Sequence, residues 1–201
     1  MSSVFKLDIK DNIGIVSFDV PGAAVNTWTD EAIESFRELM DQLEQKKGDI
    51  QGIVFISGKK TFHAGADLNM LSQEADPEDM RTRCRDFNRM FLRLENIGVP
   101  TLAAINGHCM GGGYEFALVM QARLATSARN TLIGLPECSV GVIPGGGGTQ
   151  RLPRLIGYAA IEQILKGAVL PAAKALELGM VDRVISEDED LLESAIAMVK
   201  E

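Results

Sequence analysis

An α/β fold is the expectation from this chain, and three observations carry it. Continuous apolar runs, the mark of strands buried on both faces, recur along the sequence. Between them lie segments whose apolar residues repeat at helical spacing. Glycine-rich turns stand where strands give way to helices, and alternation of this kind builds an α/β domain.

The elements follow in order. Phe5–Ile9 alternates apolar and polar residues, Lys10-Asp-Asn12 turns, and Ile13–Phe18 completes a hairpin. Thr27 or Thr29 caps a helix that runs to about Lys47, with Ile33, Phe36, Met40 and Leu43 on one face. Gly52–Ser57 is a buried strand. Asp76 and Pro77 supply a cap and a first-turn proline for a helix carrying Met80, Cys84, Phe87, Phe91 and Leu94. Thr101–Ile105 reads as a second buried strand, followed by the glycine-rich turn 107–113 and a short helix from about Tyr114. Arg123–Thr126 and Thr131–Ile133 are short strands, and Ala159–Lys166 and Ala172–Leu178 are helices. Met180–Ile185 and Asp190–Lys200 give a last strand and a last helix.

Composition narrows the function classes. With 201 residues, 46% hydrophobic and 24% charged, the chain suffices for one substantial globular domain. A net charge of -8 argues against a nucleic-acid partner, which needs a basic face. No apolar run is long enough to span a bilayer, and no signal peptide is seen. Cys84, Cys109 and Cys138 form no motif and read as free thiols in a reducing, cytoplasmic compartment. Two histidines, His63 and His108, are too few for a His-rich metal site, and His63 reads as a surface residue.

Three segments carry chemistry. Gly107-His-Cys-Met-Gly-Gly-Gly113 follows a strand and precedes a helix, but Tyr114 replaces the P-loop lysine and the dinucleotide G-x-G-x-x-G spacing is absent. Such glycines instead permit a tight turn or let a ligand approach backbone N–H groups at a helix N-terminus. Phe62-His-Ala-Gly-Ala-Asp67 is a second segment of small residues. Glu115, flanked by Phe116, Ala117, Leu118 and Val119, and Glu137, between Pro136 and Val140, both read as enclosed acids. They are either a proton-transferring pair or members of structural ion pairs. Gly145–Gly148 reads as an anion-binding helix cap or, better, as a tight turn packed near the site.

These stretches, with Ala-Ile-Asn-Gly-x-x-x-Gly-Gly-Gly-x-Glu ending at Glu115 and Leu135-Pro-Glu continuing to Gly157, resemble the enoyl-CoA hydratase (crotonase) family, and most closely the hydratase region of multifunctional fatty-acid oxidation α-subunits. The resemblance runs from the first hairpin to about Ile185. It implies a crotonase-like spiral of ββα units with flanking helices, in a single domain over residues 1–201 without the family's C-terminal helices. It implies an acyl-CoA thioester substrate with no metal and no cofactor, CoA being part of the substrate. Ala66 and Gly112 would supply oxyanion N–H groups, and Glu115 and Glu137 would be catalytic. Ala64, Asp67, Leu68, Gly111 and Gly145 would line the substrate. A homotrimer and a thiolase β-subunit are the implied partners. Two acids at these positions favour trans-2-enoyl-CoA hydration over Δ3,Δ2 isomerisation or mere thioester binding. Tyr114 is expected to narrow the pocket, Trp28 replaces the family's usual Leu, and Lys59 or Lys60 would supply a CoA phosphate contact.

Overall fold

The computed structural model describes residues 3–67, 70 and 76–201. Its main sheet has the order β1-β2-β3-β4-β6-β9, comprising Phe5–Lys10, Ile13–Phe18, Gly52–Ser57, Thr101–Ile105, Ala122–Thr126 and Arg183–Ile185. β1 and β2 are antiparallel and every later pair is parallel. The order never reverses, so the sheet has no switch point of the doubly wound kind. Each new strand adds to the same edge, which makes the chain a spiral. A smaller sheet, β5-β7-β8, is built from Cys109–Met110, Leu132–Gly134 and Val169–Pro171.

Local chemistry explains the elements. Asp11 and Asn12 take φ of 50° and 62°, the left-handed pair that a two-residue hairpin turn requires. Thr29, not Thr27, caps α1 (Asp30–Lys46), its hydroxyl accepting from Ala32 N–H at 3.1 Å. Asp76 caps α2 (Pro77–Glu95) through Glu78 N–H at 2.8 Å. The remaining described helices are α3 (Gly112–Val119), α4 (Gly148–Ile156), α5 (Ala159–Lys166), α6 (Ala172–Glu177) and α7 (Leu191–Val199).

The sheet is covered on both faces, as its apolar runs predict. Ile53 and Phe55 of β3, with Ala103 and Ile105 of β4, join one core shared with α1 and α2. The alternate residues Val54, Leu102 and Ala104 pack with Ala195, Ile196 and Val199 of α7 on the other face. This is the period-two alternation of a strand with two buried sides. Phe116 of α3 sits inside the first core against Phe18, Trp28, Phe36, Phe55 and Phe91, with ring centroids 5.3–6.0 Å apart. That packing fixes α3, the helix whose N-terminus faces the site.

Candidate active site

β5 runs into Gly111, which takes φ +56° and serves as the N-cap of α3. A helix start leaves its first N–H groups without intrahelical partners. Here Tyr114 and Glu115 N–H donate to the Gly111 carbonyl at 2.8 and 2.9 Å. The Gly112 N–H finds no acceptor among the described residues, and neither does the Ala66 N–H. The loop carrying Ala66 is tied to α3's entry, because His63 N–H donates to the His108 carbonyl and Met110 N–H to the His63 carbonyl, both at 3.0 Å. The two free N–H groups lie side by side. A Cβ placed on Gly65 would fall 3.2 Å from Gly112 N, and one on Gly112 would fall 3.6 Å from Ala66 N. Two neighbouring donors can hold one anionic oxygen where they point to a common position.

Glu115 stands in the first turn of α3 and is buried. Its Oε1 accepts from Gly148 N–H, the first residue of α4, at 2.7 Å. Burial pushes its carboxyl up from the ordinary range. Gly148 N–H, then Gly146 N–H, then the Arg151 charge pull the other way without reversing the direction. Arg151 also braces this loop, donating to the Gly146 carbonyl at 3.0 Å and pairing with Glu95 at 2.9 Å. Asn88 of α2 donates to the Gly145 carbonyl at 2.7 Å.

Glu137 opens a 3-10 turn, Glu137–Val140, after Pro136. Its Oε1 lies 3.1 Å from where a Gly111 side chain would begin, so glycine there makes room for the carboxyl. Its Oε2 is buried and has no hydrogen-bond partner. Burial first, and the Glu115 charge second, push the Glu137 carboxyl up to about 7. Burial raises both carboxyls, but their partners differ: Glu115 accepts from backbone N–H, while Glu137 keeps a buried Oε2 with no partner.

The other expected residues fall around this centre. Ala64 N–H donates to the Asn26 carbonyl at 2.8 Å, and Asp67 N–H to the Trp28 carbonyl at 3.4 Å, so both lie on the Ala66 loop. Gly111 lies under Glu137, and Gly145 lies beside Cys84 on α2. Leu68 lies outside the described residues. Among the described residues no cluster of three or more His, Cys, Asp or Glu could hold a metal, and no helix is long and apolar enough to cross a membrane.

Two expectations are corrected. His63 is buried, not at the surface; its Nδ1 accepts from Gly65 N–H at 3.1 Å, and burial lowers its pKa to about 3, so it braces the loop as a neutral ring. Tyr114 points away from the pocket into the core, where its hydroxyl donates to the Met180 carbonyl at 2.8 Å, so it does not narrow the site. Lys59 is 2.5 Å from Asp19 and donates to the Ala23 carbonyl at 2.7 Å, while Lys60 is exposed. Arg151 and Asn88 are site-bracing residues that sequence reading missed.

A spiral α/β fold with free N–H groups beside two enclosed acids defines a class of enzyme, and comparison with known proteins names it. The enoyl-CoA hydratase/isomerase family model matches residues 8–201, and the chain belongs to that family. The fatty acid oxidation complex subunit alpha of Shewanella loihica is 44% identical over 98% of the chain, which spans 28% of that protein's length. An enoyl-CoA hydratase of Geobacillus kaustophilus superposes with a TM-score of 0.91 at 31% identity, covering 100% of this chain and 75% of that one. Pseudomonas aeruginosa DspI superposes at 0.88 with 32% identity, covering 99% and 80%.

Proposed function

We propose that the chain is an enoyl-CoA hydratase that adds water across the C2=C3 bond of trans-2-enoyl-CoA thioesters in fatty-acid β-oxidation. The observation that carries this reading is the unequal hydrogen bonding of the two enclosed acids. Hydration needs a carboxylate to take a proton from water and a carboxylic acid to deliver one to carbon. Glu115, held by Gly148 N–H, suits the first role, and Glu137, with its Oε2 unpartnered and its carboxyl raised to about 7, suits the second.

In this reading the thioester oxygen lies between the N–H groups of Ala66 and Gly112. Glu115 accepts a proton from water as the water oxygen bonds to C3. The π electrons move through C2 to the carbonyl oxygen, giving an enolate that the two N–H groups stabilise. Electron density returns through C2, which takes the proton of Glu137. The net change is one water gained, with hydroxyl at C3 and hydrogen at C2, and solvent exchange resets the two carboxyls.

The test is steady-state hydration of crotonyl-CoA by Glu115→Gln and Glu137→Gln. Each is expected to lower kcat by at least about 10²-fold, in keeping with loss of an essential proton-transfer group. Rates near the parent for both variants would refute the assignment. If 3-enoyl-CoA were converted faster than the 2-enoyl substrate, isomerisation would replace hydration as the main activity.

A further inference from the structure

Trp28 lies in neither glycine segment, yet it touches both. Its indole N–H donates to the Gly112 carbonyl at 3.1 Å. Its backbone N–H donates to the Gly65 carbonyl at 2.9 Å, and its own carbonyl accepts from Asp67 N–H at 3.4 Å. These two backbone bonds flank Ala66 on either side. One residue therefore holds the neighbours of one free N–H through its backbone and the residue bearing the other through its side chain.

The site has need of such a hold. Gly111, Gly112 and Gly113 run in succession, and glycine has more backbone freedom to lose than any other residue. Packing narrows that freedom at Gly112, since a Cβ there would meet Trp28 Cδ1 at 3.1 Å. The indole itself has little room to move. Trp28 is 2% exposed, and its ring lies 4.8 Å from His63, 4.9 Å from Phe87 and 5.4 Å from Phe116.

We propose that Trp28 is a positioning residue for the Ala66 and Gly112 N–H pair, its indole N–H fixing the Gly112 backbone so that both donors meet one thioester oxygen. The proposal rests on the thioester reading above. It assigns the indole a role beyond filling the core: the N–H, as distinct from the ring, sets the polarisation of the bound carbonyl.

The experiment separates ring from N–H. Trp28→Phe keeps an aromatic ring and removes the donor. Because the chain has one tryptophan, replacing Trp28 by 3-benzothienylalanine swaps only this N–H for sulfur at nearly constant shape. Two readouts are taken on parent and variants. One is kcat and KM for crotonyl-CoA. The other is the absorption shift of bound para-dimethylaminocinnamoyl-CoA, which moves to longer wavelength as its carbonyl is polarised. The expected result is kcat lower by roughly tenfold, a fraction of the 10²–10³ that loss of a whole oxyanion donor costs. KM should stay within about twofold, and the red shift should shrink in both variants, since positioning acts on the transition state more than on ground-state binding. Benzothienylalanine tests the point even if Trp28→Phe unfolds. A full red shift and near-parent kcat in the benzothienyl protein would overturn the proposal while leaving the thioester reading intact. No red shift in the parent would overturn the thioester reading, and the proposal with it.

Discussion

Gly146→Ala tests how closely the site depends on the position of one carboxylate. Gly146 shows no left-handed backbone that alanine would strain, so the added methyl is the whole perturbation. That Cβ would lie 2.7 Å from Glu115 Oε2, 3.1 Å from its Cδ and 3.1 Å from Phe87 Cε1. Ordinary van der Waals contact begins near 3.4 Å, so the carboxylate or the loop must give by about 0.7 Å. Phe87 closes one direction of escape. Gly148 N–H, bonded to Oε1, resists another. Misplacement by ~1 Å costs an enzyme about 10²-fold, so kcat for crotonyl-CoA should fall roughly 10- to 100-fold. Gly48→Ala is the control, because a Cβ there meets nothing within 4 Å. The assay follows loss of the conjugated thioester absorbance, alongside thermal unfolding of each variant. A Gly146→Ala protein that unfolds at the parent temperature and keeps kcat within about threefold would refute this reasoning, because a shift of that size should be felt.

Further outcomes follow from the same structure. With Glu137 raised to about 7, kcat should decline as pH rises through that value, and Glu137→Gln should flatten this limb at a lower rate; a parent profile flat from pH 6 to 8 would count against Glu137 as the acid. The raised pKa also fixes a sign for stability. The native carboxyl holds its proton to about 7, above the ordinary carboxylate range, so the folded state binds more protons in between and stability falls as pH rises across that window. Glu137→Gln should therefore gain thermal stability relative to the parent at pH 8 compared with pH 5, measured by calorimetry. Tyr114→Phe leaves the Met180 carbonyl without its hydroxyl donor, which costs about 1–3 kcal/mol and should lower Tm by several degrees. Its turnover should stay within about twofold, since the hydroxyl lies in the core and not at the acids.

Much of this architecture was legible in the chain. β3 and β4 declared themselves as unbroken apolar runs because helices cover both of their faces. α1 and α2 showed through helical spacing and caps. What escaped depends on partners distant in sequence. β5 is two residues long and exists by pairing with β7, and β8 likewise pairs with β7. α4 begins with Gly148 and contains Pro153, a poor helical pattern; Glu115 meets its first N–H, and Leu152 is buried beneath it. Side-chain direction was the other blind spot. Apolar flanks could place Glu115 inside, but no local pattern tells that Tyr114 reaches Met180 or that His63 turns its Nδ1 onto Gly65. The bracing roles of Arg151 and Asn88 have the same cause, since Arg151 pairs with Glu95 and Asn88 with the Gly145 carbonyl, partners brought close only by folding.

The most direct test of hydration is product analysis in isotopically labelled water. Crotonyl-CoA incubated with the protein in deuterated, 18O-enriched water should yield 3-hydroxybutyryl-CoA with 18O at C3 and deuterium at C2, read by mass spectrometry. Glu115→Gln should make this product far more slowly. Unchanged crotonyl-CoA, or deuterium exchange without 18O at C3, would contradict the account.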